Sequence, residues 1–163
     1  MPSQNRIDGP GAGPFKLRTR VPWATKLRPD ARPKLVPDRR GTGMMLVPTP
    51  LLVAAEIRKI RRGHVLTVRE LRERMARRSG AASACPFTTG IFLQIIAGAA
   101  EEDIAAGRRA TAPYWRVLDN EGRLKPGWPP GPERQAQHLR GEGRQVVRDS
   151  ATGDWLVERR QRR

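Results

Sequence analysis

Cysteine, histidine and aromatic residues are scarce in this 163-residue chain. The single cysteine, Cys85, forbids an internal disulfide and any cysteine cluster, and with only His64 and His138 to join it a bound metal is not expected. No stretch approaches the ~18 consecutive apolar residues of a membrane-spanning helix. The opening residues, interrupted by Pro2, Asn5 and Asp8, do not read as a secretory signal. A cytoplasmic, nucleoid-associated location follows as the expectation, with no membrane, cofactor or metal called for.

Acidic residues are also in short supply, 16 against 32 basic ones, which leaves a net charge of +16. Of the 32 cations 27 are arginine, the side chain whose planar fork matches phosphate. Such an excess predicts attraction to a polyanion, nucleic acid first, with binding that weakens steeply as salt rises. A solubilising surface charge is the alternative.

Hydrophobic residues reach only 37%, while 16 glycines and 15 prolines are many for a packed chain. The length suits one domain with extensions, expected as a monomer. Residues 1–43 read as a basic, Pro-rich and poorly packed extension: prolines at 10, 14, 22, 29, 33 and 37 break any helix, and ten cations face three acids. That arm either tracks a phosphate backbone or is a solvated linker. Trp23, Leu35 and Val36 leave open that part of it lies on the domain.

Folded structure is expected from Met44. Thr49 and Pro50 make an N-cap followed by proline at the first helical position, with Val53, Ile57 and Ile60 forming an apolar stripe until Gly63. Thr67, Val68, Arg69 and Glu70 spell a capping box for a second helix with Val68, Leu71 and Met75 inside and arginines outside. A turn through Gly80 and Pro86 leads to Thr88 and Thr89, then to a third, apolar helix. Two helices across a short turn are consistent with a helix-turn-helix. Pro132 opens another helix, and residues 145–148 and 155–158 flank a turn as a short C-terminal hairpin, with a basic tail beyond.

The most informative stretch is Pro113-Tyr114-Trp115-Arg116-Val117. It resembles the acceptor loop, Pro-Cys-His-Arg-Val, of the alkylguanine-DNA alkyltransferase (methylated-DNA–protein-cysteine methyltransferase) family. Around it, Gly63 to Thr67, the helix pair, Gly122-Arg123-Leu124 and His138-Leu139 leading to Glu142-Gly143 follow the family's order over about 100 residues. Cys85 to Phe92 resembles a segment of an uncharacterised branch of that family. The resemblance implies an α/β, mainly α, winged helix-turn-helix-like DNA-binding domain over 44–144, with 145–163 as hairpin and tail.

In active members a cysteine thiolate attacks the alkyl carbon of an extruded guanine, a histidine relays its proton and a glutamate orients the histidine. Of these three only Glu142 stands in a matching position. Tyr114 occupies the cysteine's place and Trp115 the histidine's. A phenol of ordinary pKa near 10 and an indole cannot take those roles, so transfer at this loop is expected to fail. Members with tryptophan at the acceptor position bind alkylated guanine without repairing it and flag it for excision repair. The resemblance therefore implies a non-enzymatic reader of double-stranded DNA with excision-repair proteins as partners.

Pro113, Tyr114, Arg116, Trp128 and Glu142 are the candidates for a lesion pocket. Thr67, Arg69, Arg72, Phe87, Thr88 and Thr89 are the candidates for DNA contact: the resemblance puts Phe87 or Thr88 where the family carries an arginine, Phe87 could act as an apolar wedge, and Thr88 and Thr89 could offer their hydroxyls to phosphate. Tyr114 suits a pocket wall or the core equally, whereas Trp115 suits the core better. Two other readings stay open: a general DNA or RNA binder without lesion preference, and an active alkyltransferase that uses Cys85, whose neighbours Ala84 and Pro86 also suit a small buried hydrophobe.

Overall fold

The computed structural model describes residues 21–158. The first twenty residues of the extension and the tail from Arg159 lie outside the described residues. The architecture is mixed α/β and mainly helical.

The N-terminal segment turns once as a 3-10 helix, Trp23–Leu27, then enters β1 (Lys34–Pro37), which pairs antiparallel with β2 (Met44–Val47). Regular structure begins ahead of Met44, which falls inside a hairpin, and the segment docks on the domain at Trp23 although most of residues 24–43 stay exposed. Two long-range contacts explain this. The indole of Trp23 seats on Gly98, where an added Cβ would stand 2.3 Å from its Cγ. Both carboxylate oxygens of Glu102 accept hydrogen bonds from the backbone N–H groups of Trp23 and Ala24, at 2.6 and 3.1 Å. Proline is tolerated at Pro37 because β1 is an edge strand and owes no donor on its outer side.

Helix α1 (Pro50–Arg58) begins as its sequence predicts, with Thr49 Oγ1 accepting from Leu52 N at 3.1 Å. It stops at Arg58, short of Gly63, yet the last stripe residue Ile60 is still buried. After β3 (Leu66–Thr67) the capping box of Thr67 and Glu70 forms in both directions and starts α2 (Val68–Arg78). β4 (Ser83–Ala84) adds parallel to β2, giving the order β1-β2-β4. The long helix α3 (Pro86–Ala105) follows, then a 3-10 turn at Tyr114–Arg116 and β5 (Val117–Leu118), which pairs parallel with β3. The first half of the loop is wound into the turn, so β5 begins only at Val117.

Helix α4 (Pro132–Gly141) and the antiparallel hairpin of β6 (Val146–Arg148) and β7 (Trp155–Val157) complete the chain. Leu46, Val53, Ile57, Leu71, Leu93, Ile96 and Tyr114 anchor the main core; Leu118, Leu124, Leu139 and Val146 anchor a second one under the C-terminal hairpin. Trp115 packs against both. Among the described residues no helix is long and apolar enough to cross a membrane.

Candidate nucleic-acid interface

The loop at Pro113–Val117 is filled from within by its own side chains. Tyr114 has no exposed surface, and its hydroxyl donates to Glu101 Oε1 at 2.8 Å. Its ring meets Trp115, Trp128 and His138 edge to face at 5.4, 6.0 and 6.0 Å, while Trp115 and His138 stack at 4.0 Å. Burial, with the Glu101 carboxylate beside it, pushes the phenol far above its ordinary pKa. A phenol so held stays protonated and offers no nucleophile.

Glu101 itself is held by His138 Nε2, 2.6 Å from Oε1, and by Arg134 Nε donating to Oε2 at 3.0 Å. Burial opposes its charge, but the hydrogen bonds of His138, Tyr114 and Arg134 outweigh that and bring its pKa to about 2. This carboxylate escapes a sequence reading because it lies on the apolar helix α3, and its partners arrive from the loop and α4. The one available signal was the acidic run Glu101-Glu102-Asp103 at the end of an apolar stretch, since a carboxylate buried there needs partners.

Glu142 is equally occupied. It accepts from Arg116 Nη2 at 2.7 Å and Nε at 3.0 Å, from Trp115 Nε1 at 2.8 Å and from the Gly63 N–H at 3.0 Å, while Arg116 Nη1 donates to Ile60 O at 2.6 Å. Burial disfavours the Glu142 charge, yet these donors, Arg116 foremost, hold its pKa below the usual value. Glu142 thus ties together the end of α4, the 3-10 turn and the residues after α1. Of the five lesion-pocket candidates, Tyr114, Arg116 and Glu142 are thus spent on interior contacts, and Pro113 is half-buried.

Trp128 faces a cleft. About 500 Å³ in volume, this cleft lies between the start of α3 (Pro86, Gly90, Gln94) and the loop after β5 (Asn120, Lys125), with the buried Trp128 as one wall. Gln94 Nε2 donates to Gly127 O at 3.0 Å, and Asn120 Oδ1 accepts from the Arg69 N–H at 2.9 Å, so the loop is tied to α3 and to the first turn of α2.

The DNA-contact candidates separate in the same way. Thr67 spends its hydroxyl on the capping box, and Thr89, fully buried, donates to Cys85 O at 2.7 Å. The Thr88 hydroxyl oxygen is buried as well. The hydroxyls of Thr88 and Thr89 point inward because α3 begins at Pro86 rather than after Thr89. Arg69 is exposed, Arg72 donates through Nε to Ala84 O at 3.0 Å, and Phe87 is 75% exposed. Arg69, Arg72 and Arg77 border one shallow cleft beside β4, and Arg72, Arg39, Arg40 and Phe87 border a second of about 620 Å³. Among the described residues Arg39, Arg40, Arg69, Arg72 and Arg77 make no ion pair.

Cys85 is the N-cap residue of α3 and lines the second cleft. Burial raises its thiol pKa, but the polar groups of Thr88 and Phe87 beside the sulfur and the Arg72 charge outweigh that, for a net decrease.

The fold and site define a small mixed α/β domain with an arginine-rich helix α2, an apolar helix α3 and a self-filled loop. No protein-family model matches the chain, and no curated protein matches it. Among solved structures it is similar to that of S. pombe ATL in complex with DNA, at 21% identity over 67% of this chain and 87% of that chain, with a TM-score of 0.48.

Proposed function

We propose that this protein binds duplex DNA without chemistry, laying the outer face of α2 and the start of α3 against the phosphates. The observation that supports it best is the row of arginines at 69, 72 and 77, without ion-pair partners among the described residues, beside an exposed Phe87. Among the described residues exposed Arg69 and Arg77 make no ion pair that would stabilise the fold, and Phe87 is left in water; both features suit a polyanion with apolar base steps. Phe87 serves as the wedge that enters a step.

Lesion reading is the second proposal, and the cleft walled by Trp128 favours it: an extruded base would enter beside Gly90 and Gln94 rather than at Tyr114. Titration of matched duplexes with and without one alkylated guanine, repeated across a salt series, tests both. Binding that falls steeply with salt supports the DNA reading, and no binding at low salt refutes it. Preference for the alkylated duplex supports lesion reading; equal affinities remove it and leave a general DNA binder. Intact-protein mass after incubation with the alkylated duplex tests Cys85: a gain of one alkyl group, lost in Cys85→Ala, would make the protein an alkyltransferase.

A further inference from the structure

The β1–β2 hairpin lies outside the helix pair, yet its tip is built with unusual care. Asp38 accepts through Oδ1 from the Arg40 N–H at 2.9 Å and through Oδ2 from Ser83 Oγ at 2.8 Å, so one carboxylate ties the turn to itself and to β4. The turn closes with Asp38 N–H donating to Gly43 O at 3.0 Å, and Ala82 N–H donates to Met44 O at 2.9 Å. Gly43 has φ of +107°, and a Cβ there would stand 3.0 Å from that of Ala82. A glycine is required on both counts, and the tip is seated on the residues between α2 and α3.

This seating places Arg39 and Arg40 on the rim of the cleft that Arg72 and Phe87 share. Both are exposed and neither has an ion-pair partner among the described residues. The geometry points to a second DNA contact: the hairpin clamps the duplex phosphates on the flank of the step that Phe87 enters, and Asp38 is the positioning residue that presents Arg39 and Arg40. It rests on the duplex-binding reading above. The occupant is a phosphate backbone because the rim carries three guanidinium groups over an apolar floor, and because a tip fixed by four hydrogen bonds loses little freedom on binding.

The charge of Asp38 makes the test sharp. An acid next to a bound polyanion weakens binding, so removing it should tighten binding if electrostatics alone act. If Asp38 is a pin, Asp38→Ala instead weakens binding several-fold, Asp38→Asn retains the wild-type affinity or exceeds it, and Ser83→Ala, which cuts the same pin from the other side, weakens binding too. Arg39→Ala/Arg40→Ala should flatten the slope of log K against log salt by about 1.8, two contacts at about 0.9 each, and cost on the order of tenfold in affinity at ~0.1 M salt.

All are measured on the full chain with a short unmodified duplex, and thermal melting confirms that each variant is folded. Tighter binding by Asp38→Ala, or an unchanged slope in the double arginine variant, overturns the hairpin contact. If Arg69→Ala/Arg77→Ala weakens binding in the same series, the duplex-binding reading stands while the hairpin contact falls. Wild-type protein that binds no duplex sinks the reading beneath both.

Discussion

Tyr114→Phe separates a tyrosine that reads DNA from one that holds the core. The substitution keeps the ring, and with it the edge-to-face contacts to Trp115, Trp128 and His138, and removes only the hydroxyl that donates to Glu101. Hydrogen bonds to a charged group contribute about 1.5–3 kcal/mol net. Glu101 keeps Arg134 and His138, so it is not orphaned, and the loss should sit near the lower end, about 1.5–2 kcal/mol. For a chain of this length each kcal/mol moves Tm by ~2–4 °C, which predicts a fall of roughly 3–8 °C. Duplex affinity and its salt slope should not change, because no atom of Tyr114 reaches solvent. Thermal melting and duplex titration on one preparation suffice as the assay. An unchanged Tm with altered discrimination between alkylated and plain duplex refutes the core assignment. Tyr114→Ala is a poorer probe, since a cavity costing about 3–5 kcal/mol would obscure any binding effect.

Gly98→Ala, read by urea unfolding, should destabilise by about 1–3 kcal/mol through overpacking against Trp23, and in a Trp23→Ala background it should stabilise by up to ~1 kcal/mol, the helix gain of alanine over glycine. Glu101, with its folded pKa depressed from 4.5 to about 2, contributes stability that is fully present above pH 4.5 and lost as pH falls toward 2; Glu101→Gln should flatten the stability profile across that window. Phe87→Ala should leave Tm within about ±0.5 kcal/mol equivalent while weakening duplex binding several-fold, and loss of stability instead would place the ring in a packing role.

What sequence reading recovers here is what a few neighbouring residues decide. Thr49 with Pro50, and Thr67 with Glu70, cap their helices through atoms three residues apart, and both caps form as read. The C-terminal hairpin follows from its turn residues in the same way. The N-terminal hairpin was illegible because its support lies elsewhere in the chain: β4 is more than 30 residues on, and the Gly98 socket for Trp23 is 75 residues on. Local proline density argues against a strand, and only the edge position of β1 resolves the conflict. Where Thr89 points depends on the phase of one helix: Pro86 at the first turn of α3 rotates it into the core. Tyr114 could not be settled from sequence because an aromatic with a polar tip suits a core or a pocket equally, and the deciding partner, Glu101, is a tertiary neighbour.

These placements split the molecule into two sets of residues that scarcely overlap. Tyr114 is bonded to Glu101, and Trp115 and Arg116 are bonded to Glu142, so the loop acts as a strut between α3 and the end of α4. Arg39, Arg40, Arg69, Arg77 and Phe87 face outward and support nothing behind them. Arg72 belongs to both sets: its Nε holds Ala84 O at the turn between α2 and α3, and its side chain borders both basic clefts. Arg72→Ala should therefore lower duplex affinity and stability together, the latter by about 1 kcal/mol for a lost hydrogen bond. Arg69→Ala should lower affinity alone. If Arg72→Ala proves no worse than Arg69→Ala in melting, the turn is held by backbone pairing of β2 with β4, and the link between the core and the basic face is not Arg72.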